Sequence, residues 1–350
     1  QSTEGTGGDA DPVTVTVTGG IDTTGTLTVA GGTNNAGDNA VLNVGGNISA
    51  GSIVVDDDGG NASATLVLNG TGTQNIAGVI SADGDVTVSK SGGTVTFTGG
   101  NRNSGTWLVN DDGNGQAVVL TGDNAGTIEL GDNDAGTADE ITLTLSGTNQ
   151  DISGGITGGA SEATTVVVSG TVNQSAGAWT ADTVSVTGTL EMNANITADV
   201  ISGSGTLDVD TNSSFIGQGT STNLTVSNVT VADGVTLTVN ADTNNADGTI
   251  SSAVLLEDDG NDNGGGGTLS IDASGQVVAV SGAVTTARAS EGAIAITDGD
   301  AATTNFTADI GTSSAALATF GIADAGGNSA VSTTGNLYVD AITIGEADVL

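Results

Sequence analysis

A strand-length run of alternating aliphatic residues that closes on Gly-Thr and then a Gln occurs three times in this chain. That recurrence restricts the fold more than any other feature. It reads Ala64-Thr65-Leu66-Val67-Leu68 followed by Asn69-Gly70-Thr71-Gly72-Thr73-Gln74, and returns as Ile141-Thr142-Leu143-Thr144-Leu145 followed by Ser146-Gly147-Thr148-Asn149-Gln150. A third copy runs from Thr164 through Val168 to Ser169-Gly170-Thr171-Val172-Asn173-Gln174. One strand and one turn cannot bury an apolar face alone, so degenerate copies imply a body built by stacking one supersecondary element.

Alternation with period two extends from Val13 to Val349, as in Val13-Thr14-Val15-Thr16-Val17-Thr18, which stops at Gly19-Gly20. That period is the mark of strands with one buried face, and the Thr residues suit the outward positions of a pleated surface. Gly-Thr opens further strands at Gly25, Gly93, Gly126, Gly188, Gly205 and Gly267. Helix signals are scarce; the best stretch, Ser313–Phe320, reads as about two turns. The expected class is all-β, a right-handed parallel β-helix with coils of roughly 20–30 residues, with an elongated β-sandwich as the alternative. The expected organisation is an N-terminal stretch over 1–12, a repetitive body over 13–300, and a capping or assembly segment over 301–350 where the Gly-Thr rhythm weakens.

Composition narrows the core and the chemistry. The 350 residues include 58 glycines, one proline, no cysteine and no histidine. Aromatic residues and Met are confined to Trp107, Trp179, Tyr338, Phe97, Phe215, Phe306, Phe320 and Met192, so the core is thin and aliphatic. The two Trp residues read as core plugs or end caps rather than ligand platforms. The formal charge is −38, with Lys90, Arg102 and Arg288 as the only Lys or Arg. Such a surface repels phosphate backbones, which excludes nucleic acid as a partner. No stretch approaches the ~20 apolar residues of a spanning helix, so no direct membrane insertion is expected. The polar start at Gln1 reads as a mature end left by signal-peptide removal, which places the chain outside the cell or on its surface.

Without His or Cys, the usual nucleophilic triads and most zinc sites are unavailable, and the basic and aromatic residues that hold sugar in carbohydrate-active β-helices are nearly missing. No enzyme and no catalytic residue is expected. Divalent cations are the expected partners. Asp56-Asp57-Asp58, Asp111-Asp112, and Glu257-Asp258-Asp259 with Asp262 each follow a strand on a Gly- and Asn-containing turn, a donor set that suits Ca²⁺. Asp, Asn and Gly are equally the ordinary residues of turns. The end strands must be capped or paired with another copy. Val13, Val15 and Val17 at one end and Tyr338, Ile342 and Ile344 at the other are the candidate assembly residues of a homopolymer. The expected function is a structural subunit that assembles into a filament or surface layer through terminal-strand exchange and cation bridging. The alternative is a monomeric adhesin stalk or passenger.

The aliphatic strand with Gly-Thr-x-Gln, continuing as Ile76-Ala77-Gly78 and Ile152-Ser153-Gly154, resembles the passenger regions of autotransporter-type and S-layer-like bacterial surface proteins. Val86 to Gly99 looks like the strand repeat of that group. The resemblance covers Thr26 to Val239 and implies a right-handed parallel β-helix displayed on a cell. The family's C-terminal membrane barrel has no counterpart in this sequence, which leaves the route of export open.

Overall fold

Inward Val, Ile and Leu separated by outward Thr, Ser and Asn give each segment one face to bury and one to wet, and in a parallel stack the buried faces superimpose. The computed structural model describes residues 12–32, 38–57, 62–90, 92–99, 101–103, 105–111, 115–131, 140–159, 163–241, 247–258, 260, 265–297, 302–323 and 330–345. Among these, every α- or β-element is a strand, and the strands of each unit pair in parallel. The chain comprises two units, Gln1–Val166 and Val167–Leu350. The fold is the right-handed parallel β-helix expected from the repeats. Parallel ladders between successive coils are incompatible with the antiparallel Greek-key sandwich.

In the first unit one face is built from Val13–Val17, Ala40–Val44, Ala64–Leu68, Asp85–Lys90, Thr106–Asp111, Thr127–Leu130 and Ile156–Gly158. Their register stacks Val15, Leu42, Leu66, Val86, Trp107, Ile128 and Ile156 in one inward column. A second column runs Ile21, Ile48, Ile76, Phe97, Leu120, Leu145. Trp107 and Phe97 meet across the interior edge to face, with ring centroids 4.6 Å apart at 80°. The core-plug reading of Trp107 holds, and Trp179 is likewise fully buried.

In the second unit each coil has three sides, as in Trp179–Thr180, Thr183–Val186 and Thr189–Met192. Trp179, Ile196, Phe215, Val239, Ile271, Ile296, Ile322 and Ile344 form one inward column. Val172, Leu190, Leu207, Val229, Val254 and Val284 form another. The column partners are 17 residues apart at Trp179 and Ile196 and 32 apart at Val239 and Ile271. Extra length is absorbed at the corners, so irregular repeat spacing leaves the ladder intact.

The best helix candidate, Ser313–Phe320, forms no helix. Thr312 and Ala315 instead close a tight turn, with Thr312 N–H to Ala315 O at 2.9 Å and Ala315 N–H to Thr312 O at 3.2 Å. The chain then enters the strand Leu317–Ile322. Helix propensity loses to packing: Leu317 and Phe320 are buried in the stack, and Phe320 lies edge-on to Phe306 at 5.6 Å.

Corners bring the backbones of adjacent coils into contact. A Cβ on Gly282 would collide with the Ser252 carbonyl oxygen, and one on Gly154 with that of Gly126. Both clashes are against ladder backbone, which cannot rotate away. Gly282→Ala is therefore expected to destabilise the chain by about 3 kcal/mol, read as a lower urea midpoint.

Candidate functional site

The Gln that ends each repeated phrase is buried and ties one coil to another. Gln74 donates from Nε2 to Val44 O at 3.0 Å and Gly46 O at 2.8 Å, and its Oε1 accepts the Gly70 N–H at 3.2 Å. Gln150 repeats the geometry, donating to Leu120 O at 3.4 Å and Gly122 O at 2.6 Å while accepting the Gly147 N–H at 3.1 Å. Gln174 donates to Gly177 O and Asn195 O. The corners differ. Gln74 follows a strand of the first face, Ala64–Leu68, whereas Gln150 follows Glu140–Leu145 on the other sheet. The phrase is a corner lock usable at either position.

Lys90 sits fully buried beside the first of these locks. Its Nζ donates to Gly72 O at 2.5 Å and to Gln74 Oε1 at 2.8 Å, and burial lowers its pKa. Its own carbonyl accepts from Gln116 Nε2. These bonds tie the corners of adjacent coils together through one side chain.

Many Asp and Asn side chains do the same work from outside. Asn47 Oδ1 accepts the Asn75 N–H, Asp123 that of Asp151, and Asn195 that of Ser214, each at 2.9 Å. Asp247 accepts from Val277 and Asp309 from Asn336. These are turn residues one coil away from the amide they satisfy, so part of the acidic composition is structural.

Of the expected cation turns, the first becomes a cluster. Asp56, Asp57 and Asp83 bring their carboxylate oxygens within 4.8 Å of one another. Asp83 comes from the next coil and also accepts the Asp57 N–H at 3.3 Å. It went unread in the sequence although the coil register, Val55 opposite Ala82, places it there. Nearby, desolvation and the Asp57 charge raise the pKa of Asp85 against the opposing Thr106 N–H. Three carboxylates can offer up to about six oxygens to a hard cation such as Ca²⁺. Asp58 lies outside the described residues, as do Asp112, Asp259 and Asp262; Asp111 lies on the strand Thr106–Asp111, with its side chain also outside them.

The third turn is arranged differently. Asp258 Oδ2 lies 3.6 Å from Arg288 Nε, its Oδ1 accepts the Gly260 N–H at 2.8 Å, and Arg288 Nη1 donates to Gly260 O at 2.6 Å. Arg288 therefore occupies the position a cation would take at Asp258. Glu257 instead contributes to a carboxylate group on the neighbouring ladder, where Glu191 and Asp208 stand directly opposite in register. Burial first, then the charges of Asp210, Glu257 and Glu191, push the Asp208 carboxyl up to about 6.

The sign of that shift sets a pH dependence. Between the ordinary value of 3.8 and about 6, the folded chain holds a proton on Asp208 that the unfolded chain has released. Stability contributed by this group therefore rises as pH falls through about 6. Asp208→Asn is expected to remove that slope and to stabilise the protein near pH 7 by about 1 kcal/mol, allowing for solvent screening of a half-buried group. Thermal melts of both proteins from about pH 4 to about pH 8 check it.

All the candidate assembly residues except Tyr338 lie on strands with one partner each among the described residues: Val13–Val17 pairs only with Ala40–Val44, and Val339–Ile344 only with Leu317–Ile322. Val13, Val15, Ile342 and Ile344 are exposed, and Val17 is half-buried. Tyr338, also half-buried, is held by main-chain bonds to Ile310 and Leu317. No helix among the described residues is long and apolar enough to cross a membrane. No family model, curated protein or solved structure matches the chain.

Proposed function

We propose that this chain is an extracellular, non-enzymatic structural subunit that assembles with copies of itself into a filament or surface layer. The observation that carries the reading is the pair of half-partnered strands, Val13–Val17 and Val339–Ile344, whose exposed Val and Ile residues occupy inward-column positions. An open parallel edge is a template for another strand. The side chains best placed for chemistry are largely committed to architecture: Gln74, Gln150 and Gln174 lock corners, Lys90 is buried, and Asp258 is paired with Arg288. Copies each carrying −38 repel one another, and divalent cations at clusters such as Asp56, Asp57 and Asp83 offset that repulsion.

Electron microscopy of the purified full chain, with calcium and then with excess chelator, tests this. Ordered filaments or sheets that dissolve in chelator are expected. Monomeric particles in both conditions would overturn self-assembly and favour a stalk that works as a single copy.

A further inference from the structure

The geometry points to a specific joint between copies: the Val339–Ile344 edge of one chain pairs in parallel with the Val13–Val17 edge of a second, with Ile342 opposite Val15 and Ile344 opposite Val17. The inference rests on the assembly reading and names its interface.

Three observations select this partner and register. The first is hydrogen-bonding parity. Val13 N–H donates to Asn39 O at 2.8 Å and Val17 O accepts from Gly45 N–H at 2.8 Å, so the inward residues of the first strand spend their main-chain groups on the following coil. In a parallel ladder the alternate residues then present theirs to the open side, here Thr14 and Thr16. At the other edge, Ile322 O accepts from Gly345 N–H at 2.8 Å. Thr343 and Gly345 therefore face back, while the groups of Ile342 and Ile344 face outward. Tyr338, whose carbonyl accepts from Leu317 N–H at 3.0 Å, also faces back, so the alternation shifts before Ile342 and the two open edges carry complementary sets over Ile342–Ile344 and Val15–Val17. Two copies of the same edge would have to pair antiparallel, unlike every ladder within either unit.

The second is column continuity. Val15 is 49 % exposed, Ile342 46 % and Ile344 44 %, yet Leu66, Val86, Leu237, Ile271 and Leu269 in the same columns are fully buried. Joining the edges returns all three residues to an environment like that of their column mates. The third is corner alignment. Val44, the column partner of Val17, is followed by Gly45, and Ile344 is followed by Gly345, so this register brings corner against corner. The contact is heterologous and leaves an open edge at each end of a pair, which permits continued addition.

The chain has no cysteine, so single-cysteine variants report the joint directly. Thr16 and Thr343 are exposed, outward and opposite one another in this register. Parallel neighbours lie about 4.8 Å apart, within the roughly 4.4–6.8 Å span of a disulfide. Full-length T16C and T343C chains, mixed and oxidised under assembling conditions, are expected to yield about tenfold more mixed disulfide than T14C with T343C or T16C alone. I342D should abolish the mixed product while the monomer retains its β-sheet circular dichroism. Ordered assemblies without preferential T16C–T343C linkage would overturn this joint and leave the assembly reading standing. Absence of assemblies by microscopy and light scattering would overturn both.

Discussion

Gln74→Ala is expected to lower stability by about 3–6 kcal/mol, since buried polar groups left unmatched cost roughly 1–3 kcal/mol each. The amide serves four groups at once: the Val44 and Gly46 carbonyls, the Gly70 N–H and the Lys90 ammonium. Removing it strands the Gly46 carbonyl of one coil and the Gly70 N–H of another, leaves the Val44 carbonyl with the Asn69 N–H alone, and takes from Lys90 one of the two acceptors named above. Gln74→Leu, which keeps the volume, is expected to cost nearly as much, because the loss is polar rather than steric. Denaturation midpoints read the global effect. Lys90 is the only lysine in the chain and is fully buried, so its acylation by an amine-reactive ester reads local opening of this corner. Faster labelling in Gln74→Ala, with a comparable loss in Gln74→Leu, is the expected pattern. Unchanged midpoints and unchanged labelling would show that the lock is dispensable.

Trp107→Ala carries the second large effect, about 3–5 kcal/mol by analogy with other large-to-small core changes. Trp107 fills the interior between Val86 and Ile128 in its own column and meets Phe97 from another face. Neighbours above and below are fixed by ladder bonds, so the space cannot collapse. Its indole N–H has no acceptor among the described residues, so Trp107→Phe, which removes that buried donor, should recover much of the loss. Calorimetric melts of the three proteins check the order wild type, Phe, Ala.

The solenoid was legible because its signal is local. Period-two alternation in runs such as Val13–Thr18, with Thr outward, specifies which side of each strand is buried, and recurrence of the phrase around Gln74 and Gln150 specifies stacking. The best helix candidate, Ser313–Phe320, shows where local propensity yields: Ala and Leu favour a helix in isolation, but the burial of Leu317 and Phe320 in the stack outweighs about two turns of propensity.

The candidate cation turns were only partly legible for a related reason. Asp56 and Asp57 are visible in sequence as neighbours on a turn, whereas Asp83 joins them through coil register, Val55 opposite Ala82. The same turn composition at Asp258 received a different fate, because Arg288 from the following coil fills the position. Glu191 and Asp208 form a carboxylate pair although 17 residues separate them, since one coil has that length there.

Strand identity, the inward and outward faces, the thin aliphatic core and the strongly negative net charge all follow from residue order and composition, because they depend on spacing of one or two residues and on the count of acidic and basic side chains. Which Asp meets which, why the repeated residue is Gln, where Lys90 is hidden and which strands have a single partner among the described residues depend on contacts across a coil. Coil length ranges from 17 to 32 residues between column partners. A backbone ladder tolerates that variation by placing surplus residues at corners, so the distance along the chain between two touching side chains is set by folding and not by any fixed period.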